Sequence, residues 1–328
     1  MAIWAPGRVN LIGEHTDYTG GLAFPMAIQL GIELRGRVGG NRLRLETDIG
    51  IDPLDAALPI DQLSKIPPRW RIAAATAARA APNTGLSATL GSTLPASAGL
   101  SSSAAIEAAV ALALGAPAGD PRTALLCQLA EHDAGTPCGL LDQLAVICGR
   151  EGHGMLIDFH TGHFDHVRIP PDARFVVVPS GQERDLRSSP YAQRLAECRA
   201  AADLVDLRSA SFDDLGAIDD PTIRRRARHV VSENRRVGEF GTRLAEGDLH
   251  SAGELMSESH YSLRDDFEVS TPVLDALVSE LLATPGVLGA RLTGAGFGGC
   301  VVALCESDVD LGRGWAVVPS TGAHRLTN

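Results

Sequence analysis

Lysine is nearly missing from this chain: Lys65 is the only one, and arginine carries the rest of the fixed positive charge. No Gly-Lys-Ser/Thr occurs, which excludes a Walker-type phosphate loop, and a protein kinase needing its strand lysine is excluded with it. Lys65 lies in a Leu-Ser-Lys-Ile-Pro-Pro loop, a poor setting for Schiff-base chemistry. Any bound phosphate must therefore be held by backbone amides, helix ends and arginine. Aromatic residues are only 4% of the chain against 45% hydrophobic residues overall, so its cores must be aliphatic. Positive charge is in deficit: 29 basic against 40 acidic residues leave a formal net charge of −11. That balance argues against a nucleic-acid groove or an anionic membrane surface. The longest apolar run, Ala108 to Leu114, is far too short to span a bilayer. The six cysteines form no Cys-x-x-Cys pair and read as reduced, mostly buried thiols. No charged stretch followed by apolar residues opens the chain, so no secretory leader is expected. The expectation at 328 residues is a cytoplasmic protein of two domains.

What is present is concentrated in a few stretches. Gly7-Arg8-Val9-Asn10-Leu11-Ile12-Gly13-Glu14-His15-Thr16-Asp17-Tyr18 threads apolar Val9, Leu11 and Ile12 between polar groups. That alternation reads as a strand running into a turn that presents Glu14, His15 and Asp17 together. Acceptors at this density suit the hydroxyls of a polyol, because buried donors left unpaired cost roughly 1–3 kcal/mol each; a surface ion-pair loop is the other reading.

Thr93 to Ala105 is a turn-rich loop, with Gly99-Leu100-Ser101-Ser102-Ser103, opening into the apolar stretch Ala104 to Leu114, which only Glu107 interrupts. Serine is a preferred N-cap, and a helix start offers unpaired N–H groups and partial positive charge. The segment reads either as an anion cradle or as an ordinary capped helix. Thr293-Gly294-Ala295-Gly296-Phe297-Gly298-Gly299-Cys300 lies between two apolar strands, Val287 to Leu292 and Cys300 to Leu304. It is either a site loop or a glycine-rich hairpin turn, and not a dinucleotide fingerprint, since no βαβ unit follows. In Glu131 to Gln143, a helix from about Thr123 ends near Gly135 and Asp142 begins another. Asp142 is then a helix cap or, facing Arg8 in a cleft, a group that orients or deprotonates a hydroxyl. His153, His160, His163 and His166 straddle a strand–turn–strand and read as a solvated turn rather than a zinc site.

Taken in order along nearly the whole chain, these stretches resemble the galactokinase family of the GHMP kinase superfamily. Gly7 to Tyr18 is similar to its galactose-binding motif, Gly99 to Ala105 to its phosphate-binding loop and Gly294 to Gly299 to its C-terminal glycine motif. Pro137 to Gln143, Tyr191 with Arg194, Glu197 and Cys198, His229 to Asn234, and Ser259 to Asp266 agree as well. The resemblance implies a two-domain GHMP kinase fold of mixed α/β (α+β) type, with mixed sheets, helices and a cleft between domains. It implies ATP-dependent phosphorylation of D-galactose at the C1 hydroxyl. Asp142 would act on that hydroxyl as base or anchor, and Arg8 would pair with Asp142 and stabilise the transferring phosphoryl group. Glu14, His15, Asp17, Gly139 and Tyr191 would bind the sugar. Gly99, Leu100, Ser101, Ser102, Ser103 and Ala104 would bind ATP phosphates, with Trp70 near the adenine and Ser103 and Glu131 ligating Mg²⁺. The expected partners are these small molecules only, and the expected state is a monomer. A related 1-kinase acting on N-acetylgalactosamine or arabinose, and a non-catalytic galactose/ATP sensor, are the alternatives.

The chain also departs from the family pattern. The helix many members carry upstream of Arg8 is expected to be missing. Ser97 stands where glycine is usual, and Ala192 where asparagine follows the tyrosine. Glu131 to Asp142 is one residue shorter than usual, and one residue turns a helix face by about 100°. Eleven residues between Leu304 and Ala316 leave too little room for the helix expected before the last strand. Elsewhere, Arg42 to Glu46, Met155 to Phe159 and Phe175 to Val178 read as strands, and Pro190 to Val205, Pro221 to Leu244 and Pro272 to Leu282 as helices. Arg224, Arg225 and Arg228 should face mostly outward. The N-terminal domain is placed at 1–165, with the sugar motif and phosphate loop, and the C-terminal domain at 166–328, with the glycine motif.

Overall fold

A computed structural model describes residues 1–48, 51–95, 98–136, 138–182 and 191–327; Ser97, Pro137 and Pro190, singled out above, lie outside the described residues. The first half builds a mixed sheet. Its strands are β1 (Ala2–Asn10), β3 (Pro25–Val38), β4 (Arg42–Thr47), β5 (Leu54–Ala57) and β6 (Leu86–Ser92), joined at the far edge by β13 (His324–Arg325). The order is β13-β1-β3-β6-β4-β5, with β4 and β6 the parallel pair. A short strand β2 (Leu22–Ala23) pairs with β7 (His153–Asp158), which pairs with β8 (His163–Arg168). Residue 165, the expected domain limit, falls inside β8.

Four helices accompany the large sheet: α1 (Arg71–Ala80), α2 (Ser102–Ala113), α3 (Pro121–Asp133) and α4 (Leu141–Cys148). α2 packs on β1 and β3. Its run of alanines, Ala104, Ala105, Ala108, Ala109, Ala111 and Ala113, is buried almost completely, and small side chains let helix and sheet approach closely. Asp120 caps α3 by accepting from the Arg122 amide at 2.8 Å, with Pro121 at the first helical position.

The second half carries α5 (Tyr191–Ala202), α6 (Pro221–Glu246), α7 (Leu249–Asp265) and α8 (Pro272–Leu282), packed around an antiparallel sheet. That sheet contains β9 (Arg174–Pro179), β10 (Val287–Thr293), β11 (Cys300–Cys305) and β12 (Trp315–Val317) in the order β10-β11-β9-β12. Asp220 caps α6 through the Thr222 and Ile223 amides at 2.7 and 3.1 Å, and Gly247 ends it in the left-handed region. No helix lies between β11 and β12 among the described residues, as the short spacing there predicts. Two helices were not anticipated. α1 is alanine-rich with a weak pattern, and α7 interleaves serine and histidine with apolar residues on its buried side.

Three apolar clusters hold the molecule together. One lies between the large sheet and α1–α4, with Leu34, Leu43, Leu86, Val110 and Ile147. A second lies between the C-terminal sheet and its helices, with Val178, Leu263, Phe267, Leu274 and Val301. A third joins the halves: Val9, Leu11, Ile12, Phe24 and Met26 meet Phe175, Val177, Val237, Phe240 and Val302. Phe24 and Phe240 pack edge to face with centroids 5.2 Å apart. The two halves therefore meet across a packed apolar seam.

Candidate active site

β1 brings the first functional side chain into place. Its pairing with β3 slips between Pro6 and Arg8, a bulge of the kind that re-aims a side chain. A Cβ on intervening Gly7 would meet the Leu100 carbonyl at 2.6 Å, so only glycine lets β1 run this close to the loop before α2. Arg8 is thereby set against the loop: its amide donates to the Leu100 carbonyl at 3.2 Å and its Nη1 to the Gly99 carbonyl at 2.8 Å. Its Nε donates to Asp142 Oδ1 at 2.7 Å, and Nη2 pairs with the same oxygen. Asp142 lies in the first turn of α4 without capping it. Its second oxygen accepts from the Ser101 hydroxyl. Asp142 thus faces Arg8 in the cleft and does not cap its helix.

Ser101 departs from expectation. It precedes α2 in the N-cap position, yet its side chain makes no cap bond and its backbone is left-handed, with φ 59° and ψ 52°. Ser102 and Ser103 follow at the helix start, and all three serines line a cleft of about 360 Å³ together with Arg8, Glu131, Asp142 and Gly294. First-turn amides of a helix have no intrahelical acceptor, so this end of α2 has the chemistry of an anion site.

The turn after β1 supplies the opposite wall. Glu14 is 4% exposed; its Oε1 accepts from the Gly294 amide at 2.8 Å and the Thr293 hydroxyl at 3.2 Å, and its Oε2 pairs with fully buried Arg291. The turn after β1 and the glycine-rich loop after β10 are thus clasped together. His15 has φ 64°, and its ring lies 4.5 Å from Phe267 and 5.9 Å from Tyr191. Burial, with His229 nearby, depresses the His15 imidazole to about 3, so it works as a neutral ring whose Nδ1 bonds the Tyr18 hydroxyl at 2.9 Å. Burial, reinforced by Asp142, raises Asp17 to about 6. Asp17 explains Gly139: a Cβ there would come 1.6 Å from Asp17 Oδ2. Tyr191 begins α5 and lines the same cleft.

Behind Glu131 lies a buried polar cluster. Gln143 Nε2 donates to Glu131 Oε2 at 2.7 Å and Glu107 Oε2 at 3.1 Å. Burial and then Glu131 push the Glu107 carboxyl up to about 9. Glu131, near the end of α3, lines the cleft with Asp142 of α4. Leu100 also lines the cleft, whereas Ala104 is buried beneath it. Trp70 does not line it: it is 3% exposed in the first core, with its indole N–H on the Asp52 carbonyl at 2.9 Å. The histidines of β7 and β8 find separate partners: His153 on the Glu151 carbonyl, His163 on Asp165 and His166 on the Cys148 carbonyl.

Sequence reasoning missed Arg291, Glu233, Gln143 and Arg226. Arg291 bridges Glu14 and the Glu233 carboxylate. Although burial opposes ionisation of Glu233, Arg236 and its neighbours hold it down at about 2. Fully buried Arg226 ties Glu197 to Glu268, fixing α5 and so Tyr191. For Arg291 and Gln143 the available signal was a lone charge or amide inside an apolar element, since such groups are rarely buried unpaired; Arg226 and Glu233 lie among the other charges of α6 and carried no such signal. Arg224 and Arg228 are exposed and Arg225 half-buried, as their helical spacing predicts.

An acid clamped by arginine and serine beside a helix start suits a kinase of small polar molecules. Residues 1–36 match the galactokinase galactose-binding signature, 70–150 the GHMP kinase N-terminal domain and 242–324 the GHMP kinase C-terminal domain. The chain is 43% identical over 329 residues to the galactokinase of Homo sapiens, covering 94% of this chain and 84% of that protein. It is 41% identical over 335 residues to the galactokinase of Roseiflexus sp. (strain RS-1), covering 93% and 83%. Among solved structures, Lactococcus lactis galactokinase complexed with galactose superposes with a TM-score of 0.87 at 29% identity, covering 99% of this chain and 95% of that one. L. major mevalonate kinase in complex with R-mevalonate shares the fold, with a TM-score of 0.68 at 20% identity over 97% and 95% of the two chains. The chain belongs to the galactokinase family.

Proposed function

We propose that this protein transfers the γ-phosphoryl group of ATP to the C1 hydroxyl of D-galactose, giving galactose 1-phosphate and ADP. The observation that carries this reading is Asp142, held between Arg8 and Ser101 where the sugar motif meets the phosphate loop. Asp142 accepts or orients the C1 proton, and the sugar oxygen attacks the γ-phosphorus as the bond to the β-phosphate oxygen breaks. Arg8, already across the gap between Asp142 and the loop, stabilises charge on the transferring group. Asp17, His15, Glu14, Tyr191 and the backbone at Gly139 form the sugar wall. Little covalent chemistry is asked of the protein; the work is positioning and charge stabilisation.

The acidic lining supports a divalent cation. Glu14, Asp17, Glu131 and Asp142 face the cleft with Arg8 as the only arginine among the described lining residues. No described arginine or lysine pairs with Glu131, which burial raises above its usual range. Glu131 and Ser103 are the residues that would hold Mg²⁺, and bound Mg²⁺ would neutralise the ATP phosphates. The two-domain division near residue 165, action as a monomer and a cytoplasmic location complete this reading; no described helix is long and apolar enough to cross a membrane. The test is ADP release from Mg-ATP with and without D-galactose, with NMR of the product and a panel including N-acetylgalactosamine and arabinose. Galactose-dependent ADP with phosphate on C1 supports the proposal. Galactose binding without turnover would leave a sensor instead.

A further inference from the structure

We propose that Ser101 is a positioning residue for Asp142: the phosphate loop holds this carboxylate directly, through the serine hydroxyl. The inference rests on the reading above that Asp142 faces the sugar hydroxyl. A serine in the N-cap position ordinarily turns its oxygen back to accept from its own helix. Ser101 does the opposite and donates outward to Asp142 Oδ2, while Arg8 holds Oδ1. Its left-handed backbone, at φ 59°, is a conformation L side chains adopt at a cost. The residue is buried at 7% exposure, so the hydroxyl is not simply resting in solvent. Both oxygens of Asp142 are therefore fixed, one from β1 and one from the start of α2.

The arrangement has a second effect. A serine that does not cap leaves the first-turn amides of α2 open to phosphate oxygens. One backbone conformation thus serves both substrates, aiming the hydroxyl at the sugar side and leaving the amides for the nucleotide side. Ser102 and Ser103, which also line the cleft, remain the side chains available to ATP.

The experiment compares wild type, Ser101→Ala and Ser101→Gly by steady-state kinetics, by titration with the ATP analogue AMPPNP and by thermal melting. Glycine accepts the left-handed backbone without a hydroxyl, so the pair separates conformation from hydrogen bonding. A charge-assisted hydrogen bond of this kind implies roughly a ten- to hundredfold fall in kcat for both variants. AMPPNP affinity should stay within about threefold of wild type, and Ser101→Gly should melt close to it. Full activity in Ser101→Gly would overturn the proposal, because only the backbone would then matter. A large loss of AMPPNP affinity with saturating kcat preserved would also overturn it, making Ser101 a phosphate ligand. Wild-type protein without galactose turnover would sink the functional reading separately. In that case galactose calorimetry decides Ser101: weaker galactose binding in both variants with AMPPNP affinity unchanged supports the proposal, and unchanged galactose binding or a large loss of AMPPNP affinity rejects it.

Discussion

Arg8→Lys is the perturbation the geometry constrains most tightly. The guanidinium reaches three ways: Nε to Asp142 at 2.7 Å, Nη2 to the same carboxylate, and Nη1 to the Gly99 carbonyl at 2.8 Å. A lysine ammonium is a single point on a flexible stem and cannot hold the acid and the loop together. The contacts converge on one carboxylate oxygen and a backbone carbonyl rather than forming a two-oxygen fork. Arginine is therefore required for reach, not for fork symmetry. The Arg8 side chain is 11% exposed, so solvent screens these contacts little. Hydrogen bonds to charged groups contribute about 1.5–3 kcal/mol each, and lysine retains part of the ion pair. A net loss of about 3 kcal/mol at tenfold per 1.36 kcal/mol gives roughly a 150-fold fall in kcat/KM for galactose. A coupled ADP-release assay over both substrate concentrations, with a melting curve for each protein, measures it. Arg8→Lys within threefold of wild type would refute the reasoning and leave Arg8 a structural residue.

Asp142→Ala should abolish phosphoryl transfer while AMPPNP binding stays nearly intact; retention of most of the rate would remove Asp142 from the mechanism. Gly139→Ala must displace the Asp17 carboxylate, so the galactose KM should rise at least tenfold with ATP affinity unchanged, and an unmoved KM would show that Asp17 does not bind sugar. Burial and the nearby Asp142 carboxylate hold the folded Asp17 carboxyl at about 6, above its usual 3.8. The folded state therefore holds its proton more tightly, and this group's contribution to stability falls as pH rises from 3.8 through 6. Galactose affinity runs the other way, weakening as pH drops below about 6 and the carboxylate is lost. Asp17→Asn should flatten that affinity limb in calorimetry, and an unchanged profile would assign it to another group.

Much of the cleft was legible because its residues are chemically out of place where they stand. Polar Glu14, His15 and Asp17 amid Val9, Leu11 and Ile12 announce a buried polar turn, and the serine loop before an apolar helix announces an anion site. Strand and helix periodicity placed β4, β7, β9, α6 and α8 close to their limits. The clasp was not legible, because Arg291 meets Glu14 only once β10 lies against the end of β1, and no local pattern encodes that meeting. Ser101 was legible as a helix start but not as a ligand of Asp142, since capping preference predicts the opposite orientation. Trp70 shows the converse limit: a motif match gives a position along the chain, while burial in the first core depends on how the segment around Asp52 folds over it.

The seam that welds the two halves also bears on how the protein is made. Ile3 and Ala5 of β1 enter the first core, whose partners are synthesised early, but Val9, Leu11 and Ile12 pack on residues of β9, α6 and β11. The outer edge of the same strand is completed by β13, with Ile3 opposite Arg325 and Trp4 opposite His324. At ~5–20 residues per second, the ribosome delivers those partners roughly half a minute after β1 emerges. Through that interval the sugar motif exists as sequence without its site, its apolar side chains uncovered. Chains truncated before β9 should bind a hydrophobic dye that the complete protein does not. β1 is made well before the strands and helix that cover it, and the site it carries cannot form on the nascent chain until those partners have left the tunnel.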